Sequence, residues 1–173
     1  MANGDIKSSF LSSLKGLFIF SEPPLIMKYL RVLRKMEYLT NTDRGLIKGI
    51  SYRITRYRYN RLSHTLNIGI PVNTVGYGLR MYHVGEIGLG YNTTLGNYCI
   101  LQTGVMIGPT SGQGPTVGDH VYFAPGAKVF GSMKIGNHVI VAPNSVVVKD
   151  IPDNCTVSGV PAKIIKMNGE KVS

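Results

Sequence analysis

From about residue 67 onward the large apolar residues of this chain fall on a six-residue interval. Val117, Phe123, Val129, Ile135, Val141 and Val147 are spaced six apart without a slip, and Leu89, Leu95, Leu101 and Ile107 keep the same interval upstream. Neither the 3.6-residue period of a helix nor the two-residue alternation of a half-buried strand produces a strict six. A parallel β-helix does. The fourth residue after each lattice position holds Thr93, Cys99, Val105, Val121, Ala127, Met133, Val139, Ser145 and Ile151. These are small or apolar side chains that can point inward beside the larger lattice residue in a narrow prism. Gly follows the lattice residue at positions 90, 96, 108, 118 and 136, where a tight corner is expected to need backbone freedom. Three hexads make one 18-residue turn, visible as VGDHVYFAPGAKVFGSMK above IGNHVIVAPNSVVVKDIP. Equivalent residues should therefore stack between turns at about 4.8 Å.

Two places depart from the lattice. Between Ile107 and Val117 there are ten residues where six are expected, an excess of four in GPTSGQGPT. A polar, Gly-rich bulge at 109–116 on a regular prism is a natural functional loop. The second departure is His83, which extrapolation of the lattice places where Leu, Ile, Val or Phe stands elsewhere. A buried imidazole leaves two ring nitrogens needing partners, at a cost of roughly 1–3 kcal/mol per unsatisfied group. Two readings follow: His83 is a hydrogen-bonded core residue, or the first turn slips out of register and presents it at a cleft between subunits.

Before residue 65 the pattern is helical. Phe10, Leu14 and Leu17 share one face of a short segment, and Ser21 followed by Glu22, Pro23 and Pro24 marks a helix start. Ile26, Tyr29, Leu30, Leu33 and Met36 follow at helical spacing, TNTDRG breaks the pattern, and Ile47, Ile50, Ile54 and Tyr57 resume it. The division expected is a basic helical region at 1–66, a β-helix at 67–166 carrying the 109–116 loop, and a C-terminal tail at 167–173.

Composition narrows the classes. The 173 residues include 43% apolar residues and 21 glycines, which fits a folded domain and neither a disordered nor a collagen-like chain. Two distant cysteines, Cys99 and Cys155, suggest no disulfide framework and no thiolate metal site. The run LKGLFIF is too short to span a bilayer, carries Lys15, and precedes SEPP instead of a small-residue cleavage site. A cytoplasmic location is the expectation. The net charge of +10 is concentrated: residues 1–65 hold 12 Lys and Arg against 4 Asp and Glu, whereas residues 66–173 hold 7 against 5. Such a basic arm suits a phosphorylated ligand, an anionic membrane or nucleic acid. The run SYRITRYRYNR has no nucleic-acid motif beside it, and a basic helical face near an anionic membrane, or near a lipid-linked sugar phosphate, is the reading preferred.

The hexapeptide lattice, the loop, the ending SGVPAKII and the stretches GLRMYH and ILQTGVMIG resemble the left-handed β-helix acyltransferases. The nearest branch is the serine acetyltransferase-like one, which includes O-acetyltransferases of capsular and other surface polysaccharides. The resemblance implies a mainly β, left-handed parallel β-helix with a short N-terminal helical region and an extended loop, assembled as a homotrimer with acetyl-CoA between neighbouring prisms. It implies His83 as general base in direct acetyl transfer to a hydroxyl, with no metal. Glu86, three residues on, either orients that base, binds acceptor hydroxyls or is a solvated corner residue. The donor site carries over to Ala124, Ala142, Pro161 and Lys163, the last able to pair with a phosphate. Serine acetyltransferases usually carry a second functional histidine, followed by proline, in the loop; here Gly114 stands before Pro115. That departure favours a sugar hydroxyl of a surface-polysaccharide precursor, with serine as the alternative acceptor and a non-catalytic carbohydrate-binding or scaffold prism as the rival of another class. Cys99, at a small inward position, is expected to be a buried thiol and not an acyl carrier. His120 and His138, one turn apart, are expected to stack as corner residues without a third metal ligand.

Overall fold

The structure is a computed structural model that describes residues 22–43 and 45–172. The helical segment expected around Phe10, Leu14 and Leu17, and the start at Ser21, lie outside the described residues. Two helices, α1 (Glu22–Asn41) and α2 (Leu46–Leu66), lead into a left-handed parallel β-helix. Its three faces are parallel sheets. One contains Ile68–Gly69, Ile87–Leu89, Met106–Gly108, Lys128–Phe130 and Val146–Val147; a second contains Thr94–Leu95, Thr116–Val117 and Lys134–Ile135. The third runs from Arg80–Met81 through Ile100–Leu101, Tyr122–Phe123 and Ile140–Val141 to Cys155–Ser158. It ends in an antiparallel meander formed by Lys163–Met167 and Glu170–Lys171.

The six-residue lattice is the core. All ten lattice residues from Leu89 to Val147 are buried, and so are the nine companion residues, including the polar Thr93 and Ser145. Each lattice side chain so enclosed contributes on the order of 1.5–3 kcal/mol of burial, and the stacking repeats that contribution from turn to turn. Strand offsets follow the sequence spacing. Val117 pairs with Ile135 and Val129 with Val147 at 18 residues, while Leu101 pairs with Phe123 and Ile107 with Val129 at 22. The four extra residues of the loop account for the difference.

The glycines that follow lattice residues have a different cause from the one expected. Positive φ falls on other residues, among them Asn92, Tyr98, His120, His138 and Asn144. Gly96 is required by close approach instead: a Cβ there would sit 2.6 Å from the carbonyl group of Gly118 on the next turn. The neighbouring corner is held by a ladder of side-chain caps. The backbone N–H of Asn97 donates to Asp119 Oδ1 at 2.6 Å, that of Asp119 to Asn137 Oδ1 at 2.8 Å, and that of Asn137 to Asp153 Oδ1 at 2.8 Å. On the left-handed corner positions the rings of Tyr98, His120 and His138 stack at 5.0 and 4.9 Å, the arrangement expected of the two histidines.

Helix α1 closes the N-terminal end of the prism. Ile26, Tyr29, Leu33 and Met36 are buried and Leu30 is partly so, as their spacing predicts. Tyr29 donates its hydroxyl to Ile68 O at 3.5 Å, and Tyr59 of α2 donates to Ile70 O. Arg34 donates to the carbonyls of Val75 and Gly76 and pairs with Glu37 at 2.7 Å. Burial pushes the phenols of Tyr29 and Tyr59 above their ordinary value. The apolar period of α2 forms the helix expected, but its isoleucine stripe does not face the core. Ile47, Ile50, Ile54 and Tyr57 are exposed, and the helix instead packs through Thr55, Tyr59, Leu62 and Leu66. Periodicity shows that a helix has an apolar stripe; which side meets the core depends on how the helix docks.

Candidate active site

His83 does not stand on the lattice. Met81 pairs with Leu101, and Val75 bridges Leu95, both at an offset of 20 residues. Leu89 pairs with Ile107 at 18. The stretch from Met81 to Leu89 is therefore two residues longer than the hexad from Leu101 to Ile107. Met81 takes the core position, and the extra length is shed as a bend at 82–86 that leaves Tyr82, His83 and Glu86 exposed. The buried-core reading is set aside, and the slip out of register is what the strand offsets show.

This bend is anchored from behind. The C-terminal cap of α2 is Asn67, in the left-handed conformation at φ 53°. The carbonyl of Leu66 accepts from Gly85 N–H at 3.0 Å, and that of Asn67 from Ile87 N–H at 3.1 Å. Helix α2 thus positions the segment carrying His83 and Glu86, although neither side chain lies on the helix.

The same register aligns the start of the His83 bend with residues on the turns above. Met81, Leu101, Phe123, Val141 and Val157 form one inward column. The residues that follow them, Tyr82, Gln102, Ala124, Ala142 and Ser158, form an adjoining column at the edge of that face. The backbone N–H groups of Gln102, Ala124 and Ala142 donate to Phe123, Val141 and Val157 at 3.1, 3.0 and 2.9 Å, which holds the edge at strand spacing. Ala142 lies three turns above the His83 bend, about 14 Å at the usual strand separation. Ala124 is buried and Ala142 half-buried, so no bulky side chain stands on the edge between them. Pro161 and Lys163 are exposed near its upper end, where Ala162 N–H donates to Val146 O at 2.8 Å and Gly159 N–H to Ser145 Oγ at 3.1 Å. Gln102 directly follows lattice residue Leu101, but the two-residue slip hides its alignment with Tyr82 from a six-residue count; Thr103 on the same turn lies beside Gly85 of the bend.

The loop is folded against the prism at its base. Gly114 is buried, its N–H donates to Asn92 O at 3.1 Å, and Asn92 Nδ2 donates to Gly112 O at 3.3 Å. A Cβ at Gly114 would lie 2.7 Å from both Asn92 O and Thr93 Oγ1. This backbone therefore has no room for the histidine that the resemblance leads one to look for there. Cys99 is fully buried, with Sγ 3.4 Å from Gly118 O, and burial raises its thiol pKa. Low thiolate content and enclosure both argue against a nucleophile. Among the described residues no group of three or more His, Cys, Asp or Glu side chains is arranged to hold a metal ion, and no helix is long and apolar enough to cross a membrane.

No protein-family model matches the chain. Individual relatives do. It is 35% identical over 106 residues to the serine acetyltransferase of Synechococcus elongatus, covering 59% of this chain and 43% of that one. It is 29% identical over 164 residues to the serine acetyltransferase of Staphylococcus epidermidis, covering 89% and 77%. Among solved structures, the serine acetyltransferase of Brucella abortus superposes with a TM-score of 0.65 at 27% identity, over 83% of this chain and 56% of that one. A serine acetyltransferase in complex with CoA gives 0.67 at 27% identity, over 79% and 55%. The chain thus spans about half the length of several of the proteins it matches. Repeat, register, loop position and superposition agree, and in fold and sequence the chain is similar to the hexapeptide-repeat, left-handed β-helix acyltransferases of the serine acetyltransferase-like family.

Proposed function

We propose that this protein is an acetyl-CoA-dependent O-acetyltransferase that transfers acetyl directly to an acceptor hydroxyl, with His83 as general base. The observation that carries this reading is the two-residue slip, which takes an imidazole out of the core and sets it at the foot of the Ala124–Ala142 edge. In the step proposed, the His83 imidazole accepts the hydroxyl proton as that oxygen bonds to the thioester carbonyl carbon. The C–S bond then breaks, and the imidazolium returns the proton to the CoA thiolate. Ala124 and Ala142 line the donor groove, Pro161 and Lys163 meet its nucleotide end, and Glu86 orients the base or the acceptor. The working unit in this proposal is a homotrimer, with the groove completed by a neighbouring prism.

Serine is the acceptor the relatives favour, since the similar proteins reported above are serine acetyltransferases and one from Neisseria gonorrhoeae was solved with serine. That reverses the order in which the sequence alone ranks serine and a polysaccharide sugar. One observation keeps the sugar as the second reading: Gly114 is packed where a loop histidine would need space. CoA release measured with L-serine, nucleotide sugars and lipid-linked glycans separates the two, with serine turnover expected. His83→Ala is expected to lower kcat/KM about 10²- to 10⁴-fold without loss of folding, because the side chain is exposed. Undiminished turnover by that variant would remove His83 from the chemistry. Absence of acetyl-CoA binding by the parent chain would support the non-catalytic prism instead.

A further inference from the structure

The outward face of α2 has no role in the reading above. Leu46, Ile47, Ile50, Ile54 and Tyr57 are 88, 83, 57, 50 and 67% exposed. Their spacing gathers them on one side of the helix, opposite the Thr55, Tyr59, Leu62 and Leu66 side that packs on the core. Apolar residues thus occupy two opposed faces of one helix, and among the described residues one of these faces packs on the core. The charge of the helix is one-signed: α2 carries Lys48, Arg53, Arg56, Arg58 and Arg61, all exposed, and no acidic residue, with Arg53 and Arg58 bordering the stripe. Gly45, Leu46, Gly49, Ile50 and Arg53 line an open depression at its N-terminal end, an apolar hollow with a guanidinium at its rim.

We propose that this face is a contact for an anionic lipid bilayer, with the isoleucine stripe entering the headgroup–acyl boundary and the arginines meeting lipid phosphates. A helix lying in the interface requires an apolar strip bordered by cations, and Tyr57 has the amphipathic ring suited to that depth. Charge complementarity favours this occupant over a two-fold pairing with a second copy of the chain. A two-fold pairing through the same face would bring the Arg53 and Arg61 sides of two copies together with no acid on either helix to offset them. The contact would also lie beside the candidate active site, because Tyr57 is about 14 Å along the axis from Leu66, whose carbonyl anchors the His83 bend. The inference does not depend on the identity of the acceptor.

The test is flotation of the full chain with vesicles of phosphatidylcholine alone and of phosphatidylcholine with phosphatidylglycerol. Binding is expected only to the anionic vesicles, and it should weaken as salt is raised. The double variant Ile50→Asp/Ile54→Asp should weaken it by roughly tenfold or more, with the far-UV circular dichroism of the parent. Arg53→Gln/Arg61→Gln, which alters only exposed side chains, should weaken it several-fold and reduce its salt dependence, and this variant decides the matter if the aspartate pair does not fold. Equal binding to both vesicle types, or to neither, overturns the proposal. So does an aspartate variant that floats like the parent while sedimenting as a smaller species, which would assign the stripe to a second copy.

Discussion

Gly114 and His83 show how one or two residues of spacing decide what a side chain can do. The N–H of Gly114 is spent on Asn92 O, and its Cα faces the Asn92 carbonyl and the Thr93 hydroxyl at a distance that admits no Cβ. Gly114→Ala is expected to cost about 1–3 kcal/mol, the range for forced overpacking, read as a lower denaturation midpoint with an unchanged slope. Gly114→His is expected to cost at least as much and to leave the loop displaced from Asn92. Recovery of full stability with histidine at that position would show that the loop base is not packed as described. His83, by contrast, is exposed, and its substitution is expected to leave the fold in place. Its residue type and its position near a hexad site were visible in the sequence. Its exposure was not, because a six-residue count cannot tell where along Met81–Leu89 the two extra residues are absorbed.

At the scale of elements, the helical cap and the prism are joined by buried phenols and by Arg34. Tyr29 and Tyr59 donate to Ile68 and Ile70 carbonyls, and both phenols have pKa values raised first of all by desolvation. Each is an acid whose neutral form is favoured in the folded state. Their contribution to stability is therefore fully present below the ordinary phenol value of about 10 and is lost as pH rises above it toward the folded values. Loss of helical ellipticity above about pH 10, ahead of loss of the β signal, is expected; a helix signal as resistant to alkali as the sheet signal would refute it. Helix α1 turns its apolar period, Ile26, Tyr29, Leu33 and Met36, to the core. In helix α2 the apolar period announces a helix but not which of its sides meets the core. Its packing is carried by Thr55, Tyr59 and Leu62, residues that a search for isoleucine periodicity passes over, while its isoleucines face away.

Across the whole molecule, the prism is a one-dimensional stack in which each turn touches only its neighbours. Phe123 is the largest lattice residue, fully buried, with Leu101 below it and Val141 above. Phe123→Ala is expected to destabilise by about 3–5 kcal/mol, seen in thermal or denaturant unfolding as a shift of the β transition. A shift below about 1 kcal/mol would mean that adjoining turns close the gap, contrary to the rigid stacking implied by strand spacing. The sequence by itself determined the repeat, the identity of the inward residues, the length of the loop and the stacking of His120 over His138, because a solenoid writes each turn directly above the last and local spacing is its whole geometry. Only the tertiary structure decided that His83 leaves the core, that Gly114 is closed against Asn92, and that the isoleucines of α2 face outward. Those outcomes depend on which segments lie against one another across the fold, and the period of a single segment carries no record of its neighbours.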